Sequence, residues 1–354
     1  MAKIKVALNG YGVIGKRIAD AVARQEDMEL VGVSDVVSDW RIKVAVSKGY
    51  PIYASSPDAI AAMRDGGINV AGTLGDLLKQ VDVICDCTPK KIGALNYEKY
   101  KAAGVKSIFQ GGEKHSLTGH SFVAQANYET AIGLNSTRVV SCNTTSIVRM
   151  IGALKKAGLL KSAYGVLVRR ATDPWESDTS GIINTIVPEL SIPSHQTPDA
   201  KTVLPDLNIM TSALVAAETI SHFHSWNVEL NEAVAKERIL EIFASTPRVI
   251  FLRASEGLRA LNETVELMSD LGRSRGDMYE VGLWSESLTV QGTALMFNYQ
   301  VYNQAIVIPE TIDAIRALSA TEPDAHASIA STNAAMKIVQ GDIIKVMMDR
   351  PRDL

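Results

Sequence analysis

Cys142 stands in Ser141-Cys142-Asn143-Thr144-Thr145, where an apolar run, Val139-Val140, gives way to a helical pattern over residues 146–156. A thiol at a helix N-terminus lies beside unpaired backbone N–H groups and the positive end of the helix dipole, so its thiolate is stabilised and can act as a nucleophile. The same N–H groups can receive the oxyanion formed when sulfur attacks a carbonyl carbon. The competing reading is a cysteine that packs as a small hydrophobe, the usual fate of a reduced thiol. Cys85 and Cys87 fit that second reading, because Val83, Cys85 and Cys87 alternate along a strand. The small polar neighbours of Cys142 leave both readings open there.

Ser221-His222-Phe223-His224 sets two imidazoles one residue apart, on one face if the segment is a strand. A metal would need further ligands at compatible spacing, and none is apparent nearby, so no metal is expected. A neutral imidazole near Cys142 can instead take a proton during carbonyl addition, and spacing does not choose between His222 and His224. Arg169-Arg170 ends a β-rich run, and Ser194-His195-Gln196 sits in a proline-bounded loop. Alone, paired arginines read as a solvated or salt-bridged face. Beside a hydrogen-bonding loop they form the equipment a small phosphorylated substrate needs.

At the other end of the chain, Asn9-Gly10-Tyr11-Gly12-Val13-Ile14-Gly15 follows a first apolar strand and opens a helix. In that context Gly10 permits the tight turn, Gly12 lets backbone approach a pyrophosphate, and Gly15 lets helix and strand pack closely. The helix N-terminus then faces the phosphates. About 20 residues beyond Gly15, Asp35 ends the second strand, where a carboxylate accepts both hydroxyls of an adenosine ribose and repels a 2′-phosphate. NAD is therefore the expected cofactor, unless Asp35 merely caps the turn that follows it. Arg41 and Lys43 lie near enough in sequence to compensate a 2′-phosphate, which keeps NADP possible.

These groups need a scaffold, and the chain supplies a two-part pattern. Over the first 140 or so residues, apolar strand-like runs at 3–9, 30–34, 81–85, 107–109 and 138–141 alternate with helical runs such as 16–24 and 97–103, the signature of a parallel sheet with helices on its faces. Beyond Cys142 the β-rich segments 164–169, 248–253 and 279–302, the last broken at Gln291-Gly292, are not each followed by a helix. The expected fold is thus α/β: a Rossmann dinucleotide-binding domain plus an α+β catalytic domain with a mostly antiparallel sheet. The first domain takes residues 1–141 and the C-terminal helices from about 310 to 354; the catalytic domain takes 142–309.

A chain of 354 residues with 46% hydrophobic content has room for two cores. Its net charge of −3 gives no broad basic field of the kind nucleic acid or an anionic membrane requires. No long uncharged run suggests a membrane span, no signal segment is evident, and three cysteines are too few for a disulfide framework, so a cytoplasmic protein is expected.

Taken together these segments resemble the archaeal-type phosphorylating glyceraldehyde-3-phosphate dehydrogenases over nearly the whole chain. The resemblance rests on the glycine motif with Lys16-Arg17, Gln110-Gly111-Gly112-Glu113, Val139 to Thr145, Val168-Arg169-Arg170-Ala171, Val187-Pro188, Pro193-Ser194-His195 and Val307-Ile308-Pro309-Glu310. It implies that Cys142 forms a thiohemiacetal with glyceraldehyde 3-phosphate, that hydride passes to NAD or NADP, and that inorganic phosphate releases 1,3-bisphosphoglycerate from the thioester, a step of glycolysis and gluconeogenesis. His222 matches the family's base. Ser141, Asn143, Thr144, Arg169, His195 and Gln196 fall on substrate or phosphate positions; Val13, Ile14, Gly111 and Arg170 fall on cofactor positions. A homotetramer is implied as well.

The chain departs from that pattern in four places. Many relatives carry lysine where Asp35 stands, which favours NAD here. Gln196 replaces the second of two consecutive histidines, and Tyr302-Asn303-Gln304 replaces His-Gln-Glu, so the cofactor amide falls to Asn303 or Gln304. Glu218 and residues 221–226 also differ. Two other readings remain: a dehydrogenase of another phosphorylated or acidic aldehyde, such as the aspartate-semialdehyde dehydrogenases, and a regulatory nucleotide-binding protein with no catalysis.

Overall fold

The computed structural model describes residues 2–110, 112–176 and 181–349. The chain divides into two compact units, Met1–Ser141 with Val307–Met336, and Cys142–Ile306 with Lys337–Leu354.

The first unit is built on eight strands: β1 (Ile4–Asn9), β2 (Met28–Asp35), β3 (Ile52–Ala54), β4 (Val70–Thr73), β5 (Val83–Asp86), β6 (Lys106–Phe109), β7 (Ser121–Phe122) and β8 (Ser136–Val139). They lie in the order β4-β3-β2-β1-β5-β6-β8-β7, every pairing parallel. Helices cover a parallel sheet on both faces, so its strands must be apolar on both sides; Val6, Ala7 and Leu8 are accordingly all fully buried. The sheet runs outward from β1 in two directions, through β2 and through β5, and the crevice at that switch point is where such sheets bind ligands. The helix Ile308–Ser319 belongs to this unit. Its Arg316 grips both carboxylate oxygens of Asp27 at 2.7 and 2.9 Å, and its Glu310 accepts the N–H of Ala124 at 2.7 Å.

The second unit carries β9 (Leu160–Arg170), β10 (Ile186–Pro188), β11 (Ile209–Ala216), β12 (His222–Leu230), β13 (Val249–Leu252), β14 (Val281–Trp284), β15 (Thr289–Gln291), β16 (Ala294–Val301) and β17 (Gly341–Asp342). Their order is β10-β11-β9-β12-β16-β14-β13-β17, with β15 against β16. The centre, β9-β12-β16-β14, is antiparallel, while β11 runs parallel to β9 and β13 parallel to both β14 and β17. The sheet is therefore mixed.

Two sequence expectations change. The 279–302 run is three strands, because the 3-10 turn Ser285–Ser287 interrupts it before the hairpin at Gly292. The tail, expected to end the first domain, returns to the second unit from Lys337 onward. Its β17 pairs with β13, and the buried Arg273–Glu280 pair anchors it: Arg273 donates to the carbonyl of Lys337 at 2.9 Å and Glu280 accepts the N–H of Val339 at 2.8 Å. Residues 307–309 move the other way, into the first unit. Arg350, Pro351 and Arg352 lie outside the described residues.

Candidate active site

The glycine loop begins at the C-terminal end of β1. Gly10 adopts φ +93° and donates its N–H to the carbonyl of Ser34 at 2.8 Å. A Cβ on Gly10 would meet the backbone of Cys87 at 2.9 Å, and one on Gly15 would stand 1.9 Å from the carbonyl oxygen of Gly10. Those two glycines are thus demanded by packing alone. Gly12 differs: a Cβ there would touch nothing within 4 Å. It is the residue before the helix Val13–Val22, so the loop presents open space just where helix N–H groups point outward, and Val13 and Ile14 form that helix's first turn. A pyrophosphate fits this cradle.

Asp35 is joined to the loop. Its two oxygens accept the N–H groups of Tyr11 and Val36, each at 2.7 Å. Each oxygen keeps a lone pair for a ribose hydroxyl. The turn-capping role falls instead to Asp39, which accepts the N–H of Arg41 and clasps its guanidinium. That side-chain contact holds the Asp39 carboxyl below its usual range. Arg41 is therefore engaged rather than available to a 2′-phosphate. Beneath the loop, Asn9 accepts the hydroxyls of Ser34 and Ser55, each at 2.8 Å, and donates to Tyr100, which donates to Asp86 at 2.6 Å. No sequence signal marked this network. Gly111 lies outside the described residues.

In the second unit, Cys142 opens the helix Cys142–Lys156 and remains partly exposed. The fully buried Arg149 fastens that helix to the carbonyls of Tyr279 and Ile306 at 2.9 and 3.1 Å. The expectation of a lowered thiol is corrected. Burial pushes the Cys142 thiol above its ordinary value, and Arg170, the N–H of Asn143, Arg169 and the residue's own N–H pull it back only in part. Helix-end stabilisation is present, and desolvation outweighs it.

His222 and His224 share the buried face of β12 and have different partners. His222 Nδ1 accepts the backbone N–H of Arg170 at 3.0 Å. A neutral ring so bonded carries its proton on Nε2. Burial, with Arg170, His224 and Arg169 in support, holds His222 well below the ordinary histidine value, so the ring stays neutral. The role of base, expected from the resemblance, meets a constraint here: the Nδ1 lone pair is taken, and Nε2 offers a donor. Arg170 thereby links the two, acting on the Cys142 sulfur through its charge and on His222 through its backbone.

Around them the expected substrate residues fall into two groups. Arg169 and His195 are bridged by Glu189, at 3.4 and 3.2 Å, and His195 is exposed. Asn143 and Ser141 flank the sulfur in sequence. Thr144 and Gln196, by contrast, are fully buried and committed: Thr144 donates to Asp199 at 2.6 Å, while Gln196 accepts Ser194 at 2.6 Å and meets His195 Nε2 at 3.0 Å. Both brace the loop through these groups. Gln304 donates to Asp173, which also pairs with Arg170 at 2.9 Å. Asn303 is buried, and its Oδ1 has no partner among the described residues. Sequence reasoning missed Asp173, Glu189 and Asp199, since a lone carboxylate in a loop carries no spacing signal.

A family model described as "Glyceraldehyde 3-phosphate dehydrogenase, C-terminal domain" matches residues 141–273. The glyceraldehyde-3-phosphate dehydrogenase of Methanothermus fervidus is 44% identical over 336 residues, covering 95% of this chain and 99% of that protein. That of Methanococcoides burtonii is 45% identical over 339 residues, covering 96% and 100%. That of Thermococcus kodakarensis is 43% identical over 338 residues, covering 96% and 100%.

Proposed function

Because the chain belongs to the glyceraldehyde-3-phosphate dehydrogenase family, we propose that it oxidises glyceraldehyde 3-phosphate and joins the product to inorganic phosphate, through a covalent intermediate on Cys142. The observation that carries this reading is the convergence of Arg170 on both Cys142 and His222.

The Cys142 thiolate attacks the aldehyde carbon, forming the C–S bond and moving the carbonyl π pair onto oxygen. The N–H groups at the helix start and the Nε2–H of His222 hold that oxyanion. Collapse of the alkoxide restores C=O, expels hydride and leaves a thioester. A nicotinamide dinucleotide, cradled by Gly10, Gly12, Val13, Ile14 and Gly15 with Asp35 on its ribose, supplies the hydride acceptor when bound. Phosphate then attacks the thioester carbon and Cys142 departs as thiolate, giving 1,3-bisphosphoglycerate. Arg169 and His195 hold the substrate's phosphate, Ser141 and Asn143 the reacting end, and Asn303 accepts the cofactor carboxamide. Incubating the protein with glyceraldehyde 3-phosphate and NAD should give reduced nicotinamide steadily only when phosphate is present. Turnover without phosphate, or with other acidic aldehydes alone, would replace this reading.

NAD is the preferred cofactor, NADP the weaker one. Asp35 would face a 2′-phosphate as a like charge, and Arg41 is already clasped by Asp39. Asp35→Ala should shift the NAD-to-NADP ratio of kcat/KM toward NADP by about tenfold, the effect of removing one like-charge contact. An unchanged ratio would mean that the carboxylate does not face the ribose.

The working form is a homotetramer in the cytoplasm. Among the described residues no helix is long and apolar enough to cross a membrane. Leu190 and Ile183 are 89% and 88% exposed, beside the exposed Ile186 and Ile192, and Tyr164, Val166, Met210 and Met296 form a second exposed apolar set on β9, β11 and β16. Apolar surface of this extent supports association with further copies. The pair Ile186→Asp and Leu190→Asp should yield smaller species by light scattering; retention of the parent mass would exclude this loop from the interface.

A further inference from the structure

His224 has no part in the chemistry just described, yet it is fully buried and its environment is organised around one residue. Burial pushes it down to about 3, so the ring is neutral and holds a single proton. Its Nδ1 has no partner among the described residues, while Nε2 stands 2.8 Å from Asn143 Oδ1. The ring therefore donates through Nε2–H to the side chain of the residue that follows the nucleophile.

The imidazole is held in place from the side. His224 and Tyr299 are register partners across β12 and β16, with ring centroids 4.7 Å apart and planes inclined by 34°. Trp226, two residues along the same face of β12, lies 6.4 Å away and donates its indole N–H to Tyr299 Oη at 3.1 Å. Tyr299 Oη is 3.3 Å from Ser146 Oγ, and Ser146 Oγ donates to the carbonyl of Asn143 at 2.8 Å. One proton direction satisfies every member: indole to phenol, phenol to serine, serine to carbonyl. Both the side chain and the carbonyl of Asn143 are thus gripped by a rigid aromatic set on the sheet. The N–H of Asn143 is one of the groups that favour the Cys142 thiolate.

We propose that His224 is a positioning residue for the nucleophile: by fixing Asn143 it keeps the first turn of the Cys142 helix in the geometry that stabilises the sulfur anion. The role differs from that of His222, which meets Arg170 two residues earlier on the strand. It rests on the reading of Cys142 as nucleophile, but not on the identity of the aldehyde or on phosphate.

The test follows alkylation of Cys142 by iodoacetamide across pH, read by peptide mass spectrometry, with no substrate present. His224→Phe keeps a ring against Tyr299 and removes the donor. Its Cys142 should react about tenfold more slowly at neutral pH, with the midpoint moved up by about one unit, and His224→Gln should recover most of the loss. Asn143→Ala deletes the same hydrogen bond without touching the aromatic set and should slow the reaction similarly, so the proposal stays testable even where His224→Phe fails to fold. Wild-type rate and midpoint in Asn143→Ala would overturn it, whatever His224→Phe does. Absence of phosphate-dependent turnover in the parent protein, with the alkylation differences as predicted, would count against the proposed reaction and leave this role standing.

Discussion

Cys142→Ser should lower kcat for aldehyde oxidation by at least about 10⁴-fold while leaving NAD affinity within about twofold of the parent value. Everything around the sulfur acts on an anion. Arg170, Arg169 and two backbone N–H groups favour the thiolate, and burial still leaves the thiol above its ordinary value. A serine hydroxyl starts far less acidic and meets the same burial, so these groups cannot ionise it at neutral pH. The raised thiol also sets a direction for pH: the reactive fraction of the parent protein should climb as pH rises through and beyond the ordinary thiol range, because each step deprotonates more sulfur. Alkylation and turnover, followed together, should rise in parallel. The glycine loop belongs to the other unit, where Asp35 accepts the N–H of Tyr11 and Gly10 donates to Ser34, and the sulfur is no part of that cradle, so equilibrium NAD binding by fluorescence should not register the change. Residual activity within tenfold of the parent would remove Cys142 from the mechanism.

His222→Ala should cost about 10²- to 10⁴-fold in kcat with KM little altered, the range expected when a group acts in the transition state only. The hydrogen bond from the Arg170 N–H to Nδ1 makes the prediction sharper. If His222 works as an Nε2–H donor to the oxyanion, His222→Gln returns an N–H near the same place and should be at least about tenfold faster than the alanine variant. A base has no such substitute, because a carboxamide cannot take up a proton at neutral pH. Equal losses in the two variants would assign the base role to His222 and require Nδ1 to release Arg170.

The sequence carried the architecture wherever a motif sat on an element of regular period. The strand-to-helix glycine motif marked the switch point of the first sheet, and the packing of Gly10 and Gly15 shows why it was legible: both positions exclude any side chain. The small polar cluster after Val139-Val140 likewise marked the start of the Cys142 helix. The strands β3, β4 and β7 escaped notice: at two to four residues they give no period, and β4 and β7 lack the continuous apolar run that marked the equally short β5. The return of the tail to the second unit was hidden for a related reason. It depends on Glu280, a buried carboxylate that pairs with Arg273 nearby in the chain and accepts the N–H of Val339, 59 residues on, and a lone acidic residue reads as surface.

Within the candidate site, residue types were easier to read than their partners. Two histidines on one strand face were visible; that one meets a backbone N–H and the other Asn143 was not, since the first depends on the pairing of β12 with β9 and the second on where the Cys142 helix lies against β12. Thr144 and Gln196 look like ligand contacts in sequence because small polar residues near a nucleophile usually suggest them. Folding gives their hydroxyl and amide other work, bracing the loop through Asp199 and Ser194. The thiol, too, was read from helix-end electrostatics, and desolvation, which sequence does not reveal, reverses the net direction.

The central claim is that Cys142 carries the acyl group to phosphate, and it is tested most directly by mixing the protein with NAD and glyceraldehyde 3-phosphate in phosphate-free buffer. The account predicts a burst of about one reduced nicotinamide per subunit, a phosphoglyceroyl adduct on the Cys142 peptide by mass spectrometry, and its discharge as an acyl phosphate once phosphate is added. Continuous turnover with no adduct, or an adduct on any other residue, would contradict it.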